Sequence, residues 1–108
     1  MQENELTKIA VYTGQFWDDI ADTVRYITFE LRNPQAAQSL KDELQTEIER
    51  IVTLPLKLKP YFTDEVTEDE YFPLCVGNFV AFFVVIGDVY EFRRFLYSKR
   101  DLKSGLAM

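Results

Sequence analysis

The cations of this acidic chain gather near its C-terminal end. The formal net charge is −6, yet the stretch EFRRFLYSKRD holds four cations beside a tyrosine. Guanidinium and ammonium groups bind phosphate and stabilise charge that develops on it, and a phenol can carry a proton. These residue types indicate a site for an anion or for chemistry at a phosphate. The residues concerned are Arg93, Arg94, Tyr97, Lys99 and Arg100.

Charge is distributed unevenly along the chain. Residues 1–70 hold seven Lys or Arg and fifteen Asp or Glu, whereas residues 71–108 hold five and three. The overall excess of acid argues against broad nucleic-acid binding, because phosphates repel an anionic surface. The local excess of base still permits a small site for an anionic partner. Lys57 and Lys59 form another close cationic pair, and with Arg93 they are candidate substrate-binding residues.

Histidine is absent, and Cys75 is the one cysteine. The usual general base near neutral pH and the commonest metal ligand are therefore missing, and we expect neither a metal site nor a cofactor. One cysteine cannot form an intramolecular disulfide, and no apolar run is long enough to span a bilayer as a helix. These features favour a cytoplasmic protein with no membrane partner. Cys75 itself is predicted to be a small core residue.

Two amphipathic helices are predicted in the first half of the chain, after a short N-terminal strand. Thr13 is the expected N-cap of the first helix, with Asp19 in its first turn. Asn33 followed by Pro34 is expected to start the second helix, and the short link makes an antiparallel helix hairpin. Apolar residues recur three or four positions apart in both helices. They are Phe16, Ile20, Val24, Ile27 and Leu31, then Ala37, Leu40, Leu44, Ile48 and Ile51.

Three strand-like runs, YFPLCV, FVAFFVVI and VYEFRRFL, fill the second half. Gly77-Asn78 and Gly87-Asp88 separate them, and glycine in the first position favours a type II′ turn. The acidic stretch TDEVTEDE before them is predicted to be a solvated loop. We therefore expect one two-layer α+β domain over residues 1–108, built from the N-terminal strand, the helix hairpin and a three-stranded antiparallel meander. Residues 103–108 are expected to form a flexible tail.

Arg93 and Arg94 are adjacent in the last predicted strand, so simple alternation places them on opposite faces, with Phe95 on the side of Arg93. At least one arginine then lies near apolar neighbours and needs a partner, because an unpaired buried charge is costly. Two interpretations stay open. Either carboxylates neutralise the arginines, or the arginines form an anion site with Tyr97 and the cations that follow it.

With these elements in this order, the chain resembles the RelE/ParE superfamily, the toxins of type II toxin–antitoxin modules. The stretch DIADTVRYITFELRNPQAAQSL is similar to the family's first helix, NP.AA link and second helix. PLCVGNFVAFFVV is similar to its L.VGNY..FY hairpin, and RFLYSKRDL to its closing R.LH.RRD segment. The resemblance covers residues 8–102 and implies the family's small sheet with two helices on one face.

The resemblance also implies roles for particular residues. One branch of the family cleaves ribosome-bound mRNA without a metal, and its Arg and Lys side chains stabilise the phosphate charge while a tyrosine or an acid–histidine set moves protons. The sequence departs from the family at Phe72, where members often have an arginine, and at Tyr97, where they have histidine. Matched to the family motif, the implied catalytic residues are Arg94, Tyr97, Lys99 and Arg100.

The function implied is that of a toxin that cuts mRNA on the ribosome and is neutralised by a cognate antitoxin. Two alternatives remain: a non-catalytic toxin that binds DNA gyrase, as another branch does, and an inactive homologue that binds only its antitoxin. In each case the antitoxin is expected to cover the sheet and the groove beside it, and any oligomer would form through that complex. Trp17, Tyr26 and Phe29 are candidate exposed aromatics for this interface, or else ordinary flanks of the core.

Overall fold

The computed structural model describes residues 7–54, 58–61 and 69–99. Within these ranges, no helix has both the length and the apolar character needed to cross a membrane. The elements are strand β1 (Ile9–Tyr12), helix α1 (Gly14–Arg25), a π-helical segment (Tyr26–Glu30), helix α2 (Pro34–Thr53), and strands β2 (Phe72–Val76), β3 (Phe79–Ile86) and β4 (Val89–Tyr97).

One four-stranded sheet runs in the order β1-β4-β3-β2. The β2-β3 and β3-β4 pairs are antiparallel, as the meander predicts, whereas β1 lies parallel to β4 with Ile9 opposite Val89. The two helices pack against one face of this sheet through Phe16, Leu44 and Ile48. The predicted two-layer α+β fold is therefore confirmed.

Helix α1 starts as its sequence predicts and ends differently. The side chain of Thr13 accepts a hydrogen bond from the amide of Phe16 at 3.2 Å, which satisfies an otherwise unpaired donor of the first turn. After Arg25 the chain widens into the π-helical segment, in which the amide of Leu31 donates to the carbonyl of Tyr26, five residues back. This wider turn rotates Leu31 to an exposed position, so the prediction that Leu31 continues the apolar face of the first helix is wrong.

Helix α2 follows the sequence pattern closely. Asn33 accepts a hydrogen bond from the amide of Ala36 at 3.1 Å, and Pro34 occupies the first helical position. Proline suits that position because its missing N–H would have no partner there. The predicted apolar face is confirmed, since Ala37, Leu44, Ile48 and Ile51 are buried and Leu40 packs against them.

The two hairpin turns have the geometry that their glycines predict. Gly77 has φ +58° and Gly87 has φ +61°, while neither Asn78 nor Asp88 has a positive φ. A positive φ in the first central position alone is the signature of a type II′ turn. Glycine adopts this conformation without the steric cost that a Cβ would add.

A β-bulge in β4 changes which side chains share a face. Phe82 pairs with Arg94 but Phe83 pairs with Phe92, so Arg93 is an extra residue in the last strand. The faces shift by one position beyond the bulge. Phe95 therefore joins Phe92 in the core beneath the helices, and the prediction from simple alternation is wrong on this point.

The sheet is apolar on both faces. The helix-covered face carries the large core, which includes Phe16, Phe83 and Phe92. The opposite face, called here the outer face, carries a smaller cluster of Val80, Phe82 and Leu96 with the rings of Tyr61 and Tyr71 against it. Cys75 is exposed, because it alternates with the buried Leu74 and Val76 along the edge strand β2 and lies on the outer face, and the prediction that it is a core residue is wrong.

Candidate functional site

The structure places the candidate site residues along β4 and just beyond it. Arg93, Arg94 and Tyr97 lie in β4, and Lys99 is exposed in the turn that follows. Lys59 is exposed in the segment before β2. The candidates Lys57 and Arg100 lie outside the described residues.

Arg94 is bound by a buried carboxylate from α1. Its Nε lies 2.8 Å from Oδ2 of Asp19, and its Nη2 lies 3.2 Å from Oδ1. Asp19 is 9% exposed, and the Arg94 side chain is 14% exposed. This two-point contact is the strong geometry for a guanidinium and a carboxylate, because both N–H···O bonds form in one plane.

Asp19 makes further bonds that tie α1 to the free edge of β4. Strand β1 ends at Tyr12, opposite Phe92, so the amide of Phe95 has no strand partner on that side. Oδ2 of Asp19 accepts that amide at 2.9 Å, and Oδ1 accepts Nε2 of Gln15 at 3.0 Å. The Asp19 carboxylate therefore closes the sheet edge and neutralises Arg94 at once.

Arg93 is bound on its own side by two other carboxylates. Its Nε lies 2.7 Å from Oε1 of Glu91, and its Nη1 lies 2.6 Å from Oδ2 of Asp69. Burial alone would lower the pKa of Arg93, but hydrogen bonds to Glu91, Asp69 and Tyr71 raise it above the ordinary value. The guanidinium therefore stays charged, and its charge is balanced within the chain. The sequence left two interpretations of the arginines open, an anion site or neutralisation by carboxylates. Neutralisation by carboxylates matches the contacts of both Arg93 and Arg94.

Tyr97 lies in a groove that belongs to the helix side of the molecule. The groove has a volume of about 690 Å³ between the π-helical segment, the helix link and the end of the sheet. The Tyr97 ring is 5.5 Å from that of Phe79, which itself stacks on Phe95 in the large core. Arg93 instead contacts Tyr71, which packs on the outer face. The structure therefore does not bring Tyr97 and Arg93 into one cluster.

Phe72 takes part in packing at the position where the sequence comparison expects an arginine. Its ring stacks on Phe83 with centroids 5.7 Å apart, and it packs against the large core. This position therefore contributes apolar contact rather than positive charge.

Sequence reasoning missed Asp19 as the partner of Arg94. It placed Asp19 in the first turn as a complement to the helix dipole, but the helix starts at Gly14, and Asp19 lies in the second turn. The available signal was its spacing: Asp19 is three residues after Phe16 and therefore lies on the buried face of α1. A carboxylate on a buried face needs a cation or several donors.

A cleft between the two helices is lined by a second aromatic cluster. The rings of Tyr12 and Trp17 lie 5.1 Å apart, and Lys41 and Glu49 of α2 line the opposite wall of the cleft, which has a volume of about 370 Å³. Burial and the negative charge of Glu49 raise the pKa of the Tyr12 hydroxyl. The cleft thus combines apolar walls with one charge of each sign.

Three aromatic side chains project from the helical layer. Trp17 is 54% exposed, Tyr26 55% and Phe29 70%, so of the two alternatives for these residues, exposed aromatics, not flanks of the core, describes them. Large aromatic residues at a surface favour a protein interface, because they combine a large contact area with few rotatable bonds.

Two helices on one face of a small four-stranded sheet form the fold that the resemblance to the RelE/ParE superfamily of toxins implies. Residues 10–102 match the family model of the ParE toxin of the type II toxin–antitoxin system, parDE. The chain belongs to this family, and the resemblance seen in the sequence is confirmed. Comparison with curated proteins gives no match. A type II system implies an antitoxin as the partner of this toxin.

Proposed function

We propose that this toxin arrests growth by binding DNA gyrase rather than by cleaving mRNA. Its family membership favours the gyrase-binding branch of the superfamily, since the matching family is that of ParE. The proposal reverses the order of the two functions that the sequence motifs suggest. The reversal is supported by the contacts of Arg94, the arginine to which the motif would assign a catalytic role.

The observation that carries the proposal is the pairing of Arg94 with Asp19. A catalytic arginine must offer its N–H groups to a phosphate, whereas here Nε and Nη2 are bound by a carboxylate from α1. Releasing Arg94 to a phosphate would leave the Asp19 carboxylate buried without its cation. Breaking a buried pair in this way costs several kcal/mol, on the order of 3–5.

The position of Tyr97 supports the same conclusion. Its side chain borders the groove beside the π-helical segment, together with Asp19 and Asp22. The residues described along this groove include no Lys or Arg, so its lining offers no cation to a phosphate or to the charge of an RNA-cleaving transition state. The surroundings of Tyr97 therefore suit a protein surface better than a nucleic-acid backbone.

Two measurements test the proposal, one with purified toxin and one in cells. Purified toxin should inhibit supercoiling by DNA gyrase. Cellular mRNA that is mapped by primer extension after induction of the toxin should show no new ends. Tyr97→Phe removes only a hydroxyl, and Lys99→Gln removes only an exposed charge. Both variants should arrest growth within about twofold of the wild type, because neither side chain acts in catalysis.

Two outcomes contradict the proposal. New in-frame mRNA ends that disappear in Tyr97→Phe, with gyrase unaffected, would establish the ribonuclease function. Growth without arrest when the antitoxin is absent, from a chain shown to be folded, would establish an inactive homologue that keeps only antitoxin binding.

We further propose that the antitoxin packs on the cleft between α1 and α2. Trp17 and Tyr12 supply aromatic contact, while Lys41 and Glu49 fix the orientation of a segment that lies between them. An amphipathic helix suits such a cleft, because its apolar stripe meets the rings and its polar flanks meet the two charges.

A further inference from the structure

Two tyrosines close over the outer face of the sheet. The ring centroids of Tyr61 and Tyr71 lie 5.1 Å and 6.4 Å from that of Phe82, both at steep angles to it. Phe82 is 0% exposed, and Val80 and Leu96 beside it are 6% and 1% exposed. The cluster that these three residues form therefore depends on the two tyrosines for part of its cover.

The segments that carry the tyrosines are held together by polar contacts. The amide of Tyr61 donates to the carbonyl of Tyr71 at 2.8 Å. Arg93 donates to Asp69, two residues before Tyr71, and also bonds the Tyr71 side chain. We call Tyr61, Asp69 and Tyr71 the tyrosine clamp. Arg93 is a residue of the sheet that holds it by polar contact.

We propose that Arg93 is a latch of the tyrosine clamp, and that the clamp opens while the sheet stays folded, which uncovers part of Phe82 on the outer face. This inference concerns the outer face and is independent of whether gyrase is the target. Its basis is the contrast between the two arginines. The Arg94 pair is buried, whereas in the Arg93–Asp69 pair the side chains are 27% and 46% exposed.

The exposure of the latch makes the clamp easier to open than the rest of the fold. Ion pairs that are partly exposed are weakened by salt and contribute little individually. Local units held by few contacts open without global unfolding and show this as faster amide exchange. The Tyr61 amide reports opening directly, because its hydrogen bond joins the two sides of the clamp.

Hydrogen exchange followed by NMR tests the latch. Asp69→Asn and Arg93→Gln should each accelerate exchange of the Tyr61 amide about three- to tenfold, with the Val80 and Leu96 amides unchanged. Arg93→Lys should give an intermediate rate, because an ammonium keeps the charge but cannot bind two carboxylates as a fork. Raising the salt concentration should accelerate the wild type toward the variants.

The matched control is Glu47→Gln, which removes the carboxylate from an ion pair with Arg50 on α2. It should leave the Tyr61 amide unchanged. The latch is refuted if exchange of Tyr61 is unaffected in both Asp69→Asn and Arg93→Gln. It is also refuted if Tyr61, Val80 and Leu96 all accelerate together, since that outcome shows a loss of global stability instead.

Discussion

Asp19 is the residue on which the arrangement of α1 and β4 depends most. It accepts hydrogen bonds from Arg94, Phe95 and Gln15 while being nearly inaccessible to solvent. Asp19→Ala would leave the Arg94 guanidinium and the Phe95 amide without this acceptor. We expect it to lower the free energy of unfolding by about 3 kcal/mol, measured by chemical denaturation.

Asp22→Ala is the control for that prediction. Asp22 lies one turn further along α1 and pairs with Arg25, and both side chains are mostly exposed. Its loss should cost under about 0.5 kcal/mol. In addition, Asp19→Ala combined with Arg94→Ala should cost less than the sum of the single changes, because the second change removes the guanidinium that has lost the Asp19 carboxylate. Equal costs for Asp19→Ala and Asp22→Ala would contradict the role given to Asp19.

Tyr12 provides a test of the cleft by pH. Burial, and then the charge of Glu49, raise its pKa in the folded chain above the ordinary value of about 10. The unfolded chain therefore loses this proton first, and stability contributed by Tyr12 is complete below about pH 10 and is lost as pH rises toward the folded pKa.

Glu49→Gln should lower the pKa of Tyr12, because it removes the second of the two causes. The measurement is a titration of Tyr12 by NMR, which separates it from the other five tyrosines. Asp42→Asn removes a charge from the same helix and should leave Tyr12 unchanged. If Glu49→Gln leaves the pKa of Tyr12 where it is, the charge of Glu49 does not act on the cleft.

The sequence indicated which cations to examine but not what they contact. Arg93, Arg94 and Tyr97 stand out because an acidic chain concentrates its base there. The partner of Arg94 lies 75 residues earlier, and the long-range partner of Arg93 lies 24 residues earlier. Only the folded topology brings such residues together, so residue type alone left both interpretations of the arginines open. The roles of Tyr97, Lys99 and the other candidates remain predictions.

At the scale of elements, local chemistry determined where helices and turns begin. Thr13, Asn33 and Pro34 acted as their residue types predict, since each satisfies or removes a donor of the first helical turn. The π-helical segment escaped prediction, because periodicity near 3.6 continues through it to Leu31 in the sequence. Its wider turn is seen in the hydrogen bond from the amide of Leu31 to the carbonyl of Tyr26, five residues back.

The turn between β3 and β4 yields a prediction at this scale. Gly87 has φ +61°, so Gly87→Ala adds a Cβ in a conformation that L-residues avoid. We expect a loss of about 1 kcal/mol in the free energy of unfolding, measured by denaturation.

Gly14→Ala is the matched control for Gly87→Ala. Gly14 starts α1, has no positive φ, and has open space where the Cβ would be. It should be neutral or stabilise by up to about 1 kcal/mol, because alanine loses less backbone freedom on folding. A similar loss at both positions would show that the cost at Gly87 does not come from its backbone conformation.

At the scale of the whole molecule, the order of the elements along the sequence predicted the fold class. It did not predict the order of the strands in the sheet. Helix and strand periods predict two layers, and short turns force the β2-β3-β4 meander. The parallel pairing of β1 with β4 joins residues about 80 positions apart. No local pattern in the sequence encodes such a pairing, and motif likeness supplied only the overall family fold.

The single tryptophan gives a whole-molecule test of the antitoxin surface. Trp17 is 54% exposed beside the cleft between the helices. If the antitoxin packs there, Trp17 fluorescence should shift to shorter wavelength on complex formation with an antitoxin that lacks tryptophan. Trp17→Ala should weaken the complex at least tenfold, as expected for an aromatic at the centre of an interface.

Phe29→Ala is the comparison for Trp17→Ala, since Phe29 is more exposed but does not line the cleft. It should change the affinity less than Trp17→Ala. If the Trp17 fluorescence does not shift in a complex of normal affinity, the antitoxin binds a surface other than the cleft. That result would not bear on the proposal that the toxin binds gyrase.

The extra residue at Arg93 has a consequence for comparing this toxin with its relatives. When a relative lacks the bulge, an alignment without a gap near Arg93 assigns Phe95 and Leu96 to the wrong sides of the sheet. Every functional role transferred to Tyr97 from such an alignment would then be placed on the wrong surface. The motif at the end of β4, which includes Tyr97, should therefore be matched to that of a relative only after the two strands have been superposed in three dimensions.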